Sequence, residues 1–168
     1  MKHFKAPWGR TLLITSTIAV LVCLAVTFCP HTSATPANPR FFLLRAVPLI
    51  LVFSSALFII RGYIVTPDAI LIQRLFWNTR LSLADLQTAI ALPDAMRGSI
   101  RTCGNGGLFS FTGWYFSKPL GSYRAFVTDA HLTVVLRFQK RTAVLSPENP
   151  ERFADEVMAR KSQLTGKL

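Results

Sequence analysis

The hydrophobic positions of this chain form two long, uninterrupted runs, which are followed by many short ones. Residues 12–29 are 18 residues without a charge, and residues 41–60 are apolar except for Arg45 and two serines. A helix of either length is about 27–30 Å long, which matches the hydrocarbon core of a bilayer. The pattern therefore predicts two membrane-spanning helices, 12–29 and 41–60. Pro48 is expected to kink the second helix without breaking it.

The polar segments around these runs predict a hairpin whose termini are both cytoplasmic. A tail with three basic residues, 1–11, precedes the first run, whereas the connecting segment 30–40 holds three prolines and one basic residue, Arg40. The chain after residue 60 is basic again. Because Lys and Arg accumulate on the cytoplasmic side, we expect an external loop over 30–40 and a multi-pass protein of the bacterial inner membrane.

A cleaved signal peptide is the alternative interpretation of the first run. Lys2, Lys5 and Arg10 would form its basic region, and Thr32-Ser33-Ala34 resembles a weak cleavage site. The uncharged run is longer than the usual apolar region of about 7–15 residues, which favours a retained helix. Cleavage stays open at this point.

From residue 62 onward, short runs separated by turn formers predict a β-rich domain. The predicted strands are 62–65, 69–75, 78–82, 86–92, 123–127, 132–138 and 142–145. The first two are expected to pair around the turn Thr66–Asp68, and strands 123–127 and 132–138 to form a second hairpin.

A helix is predicted at the C-terminal end of this domain. Asn149 can cap it, Pro150 suits its first position, and Phe153, Val157 and Leu164 form an apolar stripe. The fold class is thus α+β: a two-helix transmembrane hairpin followed, over 62–164, by a small sandwich or partly open barrel that the C-terminal helix closes.

A series of short motifs runs through the same segment. They are GYIVT at 62–66, ILI at 70–72, GWYF at 113–116, LG at 120–121, VVLR at 134–137 and SPENPERF at 146–153. Over about residues 62–158 this layout resembles the bacterial pleckstrin-homology-like (PH-like) domain family. The resemblance implies seven strands in two sheets with a C-terminal helix across one open end, and such domains commonly follow one or two membrane helices.

Composition supports a membrane protein with a basic domain. The chain is 51% hydrophobic and 16% charged, with a mean hydropathy of +0.37 and a formal charge of +11. Basic residues near an anionic leaflet attract it, so six are candidates for contact with the membrane or a partner: Arg74, Arg80, Lys118, Arg124, Lys140 and Arg141. Trp114, Tyr115 and Phe116 are a candidate aromatic edge, for which packing in the core is the alternative.

No pattern in the sequence is typical of catalysis, of a cofactor or of a metal site. The three histidines fall in separate segments, and the cysteines have no metal or redox spacing. The glycine run 104–107 lacks the ending of a phosphate loop and predicts a flexible turn or bulge instead. The turn Thr66–Asp68 carries none of the basic residues typical of eukaryotic phosphoinositide-binding relatives. Nucleic-acid binding is not expected either.

Three functional hypotheses follow. The first is a non-enzymatic, membrane-anchored interaction module whose domain binds a protein partner, a second copy or the inner leaflet. The second is an auxiliary subunit or assembly factor of a larger membrane complex, in which Arg45 pairs with an acidic residue of a partner. The third is a membrane enzyme with an unrecognised site near residues 98–121.

Overall fold

A short strand precedes the two apolar helices, and the remaining strands and a third helix follow them. The computed structural model describes residues 1–28 and 39–166, except for the side chains of residues 39–44. Within these ranges the helices are α1 (Arg10–Phe28), α2 (Pro39–Ala56) and α3 (Pro150–Thr165). The strands are β1 (Lys2–Lys5), β2 (Gly62–Val65), β3 (Ala69–Gln73), β4 (Asn78–Ser82), β5 (Leu86–Ala91), β6 (Ile100–Gly106), β7 (Phe111–Ser117), β8 (Gly121–Val127), β9 (Val134–Phe138) and β10 (Thr142–Leu145). The predicted loop 30–40 lies outside the described residues, apart from its last two positions, which begin α2.

The two N-terminal helices differ in how well they match the predicted membrane spans. By length and composition, α1 is the one helix among the described residues that can cross a membrane. Helix α2 continues through Pro48 but ends at Ala56, not at the predicted Ile60, because Ile60 is buried in the domain core. Its apolar part, Arg45–Ala56, is therefore shorter than the predicted span.

The strands form two sheets. One has the order β1-β2-β3-β4, and the other has the order β5-β9-β10-β8-β7-β6. The predicted hairpin around Thr66–Asp68 is confirmed, since β2 and β3 are antiparallel and the Thr66 hydroxyl donates to the Ala69 carbonyl over 2.7 Å. Strand β1 was not predicted, and it pairs with the free edge of β2, where Phe4 lies opposite Tyr63.

The predicted hairpin of strands 123–127 and 132–138 is wrong. Strand β10 lies between β8 and β9, parallel to β8 and antiparallel to β9. The physical reason is burial: Ala143, Val144 and Leu145 are all buried, so this short strand must lie inside the sheet and not at its edge.

The predicted turn or bulge at 104–107 is mostly strand. Gly104 lies in β6 opposite Gly113 of β7, and a Cβ atom at Gly104 would lie 2.4 Å from the Thr112 carbonyl oxygen. Glycine is required there because the two backbones approach so closely. Only Gly107 belongs to the turn, and the register shifts between Arg101 and Cys103, next to the glycines.

Helix α3 closes the sandwich. It begins at Pro150 as predicted, although the Asn149 side chain makes no capping hydrogen bond. Phe153 and Val157 are fully buried. The structure confirms the predicted two-sheet sandwich with its C-terminal helix, and the described residues hold ten strands where the resemblance implied seven.

A buried polar cluster around Tyr63 joins the two sheets. The Tyr63 hydroxyl donates to the Phe126 carbonyl over 2.7 Å and accepts from the Ser146 amide over 3.1 Å. The Ser146 hydroxyl in turn accepts from the Thr128 amide over 2.7 Å. Burial disfavours the phenolate and raises the pKa of Tyr63 to about 12.

Candidate functional site

The first turns of α1 are docked on the turn between β6 and β7. Ser16 is buried, and its hydroxyl donates to the Gly107 carbonyl over 3.1 Å while accepting from the Phe109 amide over 2.9 Å. The Thr15 hydroxyl contacts the same Gly107 carbonyl at 3.1 Å. These bonds fix the base of α1 to one end of the six-stranded sheet.

The segment that follows α2 meets the domain at the same end. The Phe58 carbonyl accepts from the Ser110 hydroxyl over 3.2 Å, and Ser110 belongs to the same β6–β7 turn that contacts α1. The Phe58 ring packs edge-on against Trp77, with a centroid separation of 5.6 Å. One end of the domain, which we call the junction end, therefore holds the bases of both helices.

The turn between β3 and β4 places an exposed apolar surface beside Phe58. Leu75, Phe76 and Trp77 are 41%, 75% and 40% exposed. Three successive large apolar side chains in a surface turn form an exposed apolar patch, a feature typical of interaction surfaces. Sequence reasoning missed this turn because the strand predicted over 69–75 included Leu75, whereas β3 ends at Gln73; the apolar run Leu-Phe-Trp was the turn's signal.

A cavity of about 470 Å³ opens between the end of α2 and the sheet face formed by β6, β7 and β8. Ser54 and Ser55 line it from α2, and Trp114 lines it from β7. Three arginines surround it, Arg74, Arg101 and Arg124, and no aspartate or glutamate is among its described lining residues. The cavity is thus a positively charged pocket at the junction end.

Arg74 is the most enclosed of these cations, with 6% of its surface exposed. Its Nη1 donates to the Phe58 carbonyl and its Nε to the Thr79 hydroxyl, each over 3.2 Å. Its guanidinium also lies 5.3 Å from the Phe58 ring centroid and 5.9 Å from that of Trp77. Burial and the positive charge of Arg124 lower the pKa of Arg74.

The structure brings together only part of the predicted site. Trp114 lies directly opposite Arg124, and both reach the junction cavity, as Arg74 does. Phe116 shares the face of Trp114, and each is 46% exposed. Tyr115 points to the other face and is buried against Tyr123, so it belongs to the core and not to an aromatic edge.

The other predicted basic residues lie elsewhere. Lys118 follows β7, and Lys140 and Arg141 form the turn between β9 and β10. Because β8 and β10 are parallel and both run toward the junction end, these two turns lie at the opposite end of the sheet, which we call the distal end. Arg80 lies on β4 and forms an ion pair with Asp68.

The described residues contain no group of three or more His, Cys, Asp or Glu side chains that could hold a metal ion. His131 is paired with Asp94, with its Nδ1 2.7 Å from the carboxylate. Among its described lining residues, the cavity therefore offers cationic and apolar chemistry.

Two sheets closed by a C-terminal helix, carried behind an apolar helix, define a PH-like domain with an N-terminal apolar segment. A family model described as the bacterial PH domain matches residues 61–161. The chain belongs to this family. Comparison with curated proteins and with solved structures finds no match.

Proposed function

We propose that the protein is a membrane-anchored, non-enzymatic interaction module of the bacterial inner membrane, with its PH domain and both termini in the cytoplasm. The single observation that carries this proposal is the pairing of β1 with β2. These strands lie immediately before α1 and after α2, yet they are neighbours in one sheet.

The pairing constrains how the chain meets the bilayer. Since β1 and β2 are on the same side of any membrane, the segment between them crosses an even number of times. Helix α1 is apolar, and only 11% of its span is buried within the protein. Such a surface favours lipid over water. If α1 crosses, α2 must return the chain, which supports the hairpin.

The side-chain contacts between the helices agree with this arrangement. The Thr27 hydroxyl, near the end of α1, lies 3.5 Å from the backbone oxygen of Arg45 in the early part of α2. The opposite ends of both helices meet the domain at the β6–β7 turn. The helices are thus antiparallel neighbours, and the junction end is the part of the domain nearest the bilayer.

The same geometry separates the surfaces of the domain by function. The exposed turn Leu75–Trp77 lies at the junction end, where we propose that it enters the membrane interface. Lys118, Lys140 and Arg141 lie at the distal end, away from the bilayer, where they are available to an acidic protein partner or a second copy of the chain.

Retention of the first helix is part of the proposal. Cleavage after Ala34 would remove β1, whose Phe4 is 6% exposed and belongs to the core of the sandwich. A processed chain would expose the edge of β2 and leave a space beside Phe153. The structure of the domain therefore favours an uncleaved chain.

Site-directed cysteine labelling tests the topology. In a Cys23→Ser/Cys29→Ser chain, the exposed Cys103 reports on the domain. In a chain with all three cysteines replaced by serine, the variant Ser33→Cys reports on the predicted loop. We expect an impermeant maleimide to label the loop variant in intact spheroplasts and Cys103 only after lysis. Labelling of both reporters from outside, or of neither, would overturn the hairpin.

Crosslinking in native membranes tests the interaction. We expect a specific crosslinked partner or dimer whose yield falls in Lys118→Gln/Lys140→Gln/Arg141→Gln and persists in the matched control Arg80→Gln. An unchanged yield in the triple variant would remove the distal end from the proposed interface. Co-purification of a stable multisubunit complex would instead support the auxiliary-subunit hypothesis.

A further inference from the structure

We infer that the cavity at the junction end is a binding site for a phosphate-bearing anion, and that this anion is the headgroup of a membrane phospholipid. The assignment of a lipid as the source rests on the proposed membrane anchoring. The assignment of the anion itself rests on the charges and dimensions of the cavity.

The first argument is that no acidic residue among the described lining residues neutralises the positive charges around the cavity. Arg74, Arg101 and Arg124 line the cavity, and none of them forms an ion pair within the described residues. Among the described residues, the carboxylates that form ion pairs are paired with other basic groups. Asp68 is paired with Arg80, Glu156 with Lys2 and Arg160, and Asp94 with His131. Three cations around one cavity attract an anion from outside the chain.

The second argument is the cost of enclosing Arg74. Its guanidinium is nearly inaccessible to water and is held by two neutral acceptors, the Phe58 carbonyl and the Thr79 hydroxyl. Enclosing a cation without a counter-charge is unfavourable, and the nearby Arg124 adds repulsion. An anion in the cavity offsets both effects.

The third argument is complementarity. The planar guanidinium group matches the oxygens of phosphate in a bidentate geometry, which makes arginine the preferred partner of this anion. Ser54 and Ser55 add two hydroxyl groups to the lining, and Trp114 adds an amphipathic ring. A volume of about 470 Å³ is ample for a headgroup and falls in the range of small-molecule sites.

The position of the cavity points to lipid. It is bounded by the last turn of α2, next to exposed apolar residues such as Phe53 and Phe58. In the proposed hairpin this helix end lies at the level of the headgroups, so acyl chains can follow α2 while the phosphate enters the cavity. The site differs from the β2–β3 turn, Thr66–Asp68, which contains no basic residue.

The test uses the full-length protein in dodecyl maltoside, which contains no phosphate. Binding of phosphatidylglycerol is measured by native mass spectrometry, with diacylglycerol of the same acyl chains as the uncharged comparison. We compare the wild type with Arg101→Gln/Arg124→Gln, in which both changed side chains are exposed and need not disturb folding. The matched control is Arg137→Gln/Arg152→Gln, which removes two exposed cations that do not line the cavity.

We expect phosphatidylglycerol, but not diacylglycerol, to bind the wild type. The cavity variant should bind it about tenfold or more weakly, because two charge-assisted contacts to the phosphate are removed, and the control variant should bind normally. If the cavity variant and the control variant bind phosphatidylglycerol with equal affinity, or if the wild type binds both lipids equally, the site is overturned.

Soluble probes identify the source of the anion. Inorganic phosphate and glycerol 3-phosphate are titrated separately, with thermal stability of the full-length protein as the readout. Stabilisation by these ions, lost in the cavity variant while phosphatidylglycerol has no effect, would establish the anion site with a soluble phosphate and overturn the lipid assignment. Cysteine labelling of Ser33→Cys in the cavity variant shows independently whether the hairpin persists.

Discussion

Phe4 and Phe153 pack edge to face, with their ring centroids 5.0 Å apart. Phe4 thereby contacts α3, although the two apolar helices and all the other strands lie between them in the sequence. Lys2 adds an ion pair with Glu156 on the same helix. The N-terminal tail is therefore a structural part of the PH domain.

Truncating Phe4 should destabilise the domain. We expect Phe4→Ala to lower the free energy of unfolding by about 3–5 kcal/mol, because it leaves a cavity against Phe153 and Tyr63. Denaturant unfolding of the full chain in detergent measures this change. His3→Ala is the matched control, since His3 is exposed on the same strand, and it should change stability little. Equal effects of the two substitutions would show that β1 is not part of the core.

Glu156 should make the domain sensitive to acid. The hydrogen bond from Lys2, together with that from Arg160, lowers the pKa of Glu156 below its ordinary value of 4.5. A depressed carboxyl pKa stabilises the folded state above the unfolded-state pKa, and this stabilisation is lost as the pH falls through the lower folded-state value. Glu156→Gln should remove that part of the acid dependence of the unfolding midpoint. An unchanged dependence would contradict the ion pairs.

Tyr63 should produce the opposite dependence at high pH. Its pKa is raised to about 12, above the ordinary value of 10, so the neutral phenol is favoured in the folded state. Its contribution is fully present below about pH 10 and declines as the pH rises toward 12. Tyr63→Phe should cost about 1–2 kcal/mol at neutral pH, because hydrogen bonds to Phe126 and Ser146 are lost.

Tyr63→Phe also tests how the stability of the domain depends on high pH. Its stability should decline less than that of the wild type between pH 10 and 12, and the remaining decline should come in part from Tyr115, whose pKa burial also raises to about 12. Absorbance of tyrosinate together with unfolding curves measures both effects. Parallel stability curves for the two proteins would contradict this role of Tyr63.

Ser16 should couple the first helix to the domain. Ser16→Ala removes the acceptor of the Phe109 amide and one donor to the Gly107 carbonyl. We therefore expect faster hydrogen exchange at the Phe109 amide and a free energy of unfolding lower by about 1–2 kcal/mol. Thr17→Ala is a suitable control because Thr17 is exposed on the next position of α1. If both variants exchange like the wild type, the contact does not hold the turn.

Trp77 should report contact of the β3–β4 turn with lipid. In a Trp8→Phe/Trp114→Phe chain reconstituted into vesicles, Trp77 is the remaining tryptophan. We expect brominated phospholipids to quench its fluorescence, because the turn lies at the junction end. The comparison is a Trp-free chain carrying Lys118→Trp at the distal end, which should stay unquenched. The reverse pattern would place the distal end at the membrane.

Local chemistry made much of the fold predictable. The Thr66–Asp68 turn predicted the β2–β3 hairpin, and Pro150 predicted the start of α3, because turn and helix-start signals act over a few residues. The uncharged composition of 12–29 predicted α1 to within two residues of each observed end.

Long-range pairing was not predictable in the same way. Strand β10 lies between β8 and β9 because both faces of this four-residue strand are buried. That burial depends on strands that are distant in the sequence, so the local pattern does not predict it. Strand β1 was not predicted, because basic residues such as those around Phe4 are as typical of a cytoplasmic tail as they are of a strand. Its partner β2 lies across the two helices in the sequence.

The candidate site, too, was predictable only in part. The sequence identified Arg74 and Arg124 as basic candidates and Trp114 as an aromatic one, but only the structure places them around one cavity. Arg101 was missed because β6 was interpreted as a glycine-rich turn. Successive side chains of β7 point to opposite faces of the sheet, which places Tyr115 in the core and Trp114 on the surface. This assignment can be made only when the whole of β7 is recognised as a strand.

The placement of β1 also affects the order in which the molecule can be completed. A ribosome makes β1 before both apolar helices, its neighbour β2 follows those helices, and the Phe153 ring that packs on Phe4 belongs to α3. Strand β1 therefore cannot pair until both helices have been synthesised, and in the proposed hairpin it pairs only if the chain returns to the side of the membrane on which β1 lies. A nascent chain with a wrongly inserted helix would display an unpaired β-edge, a feature that proteases and chaperones can recognise.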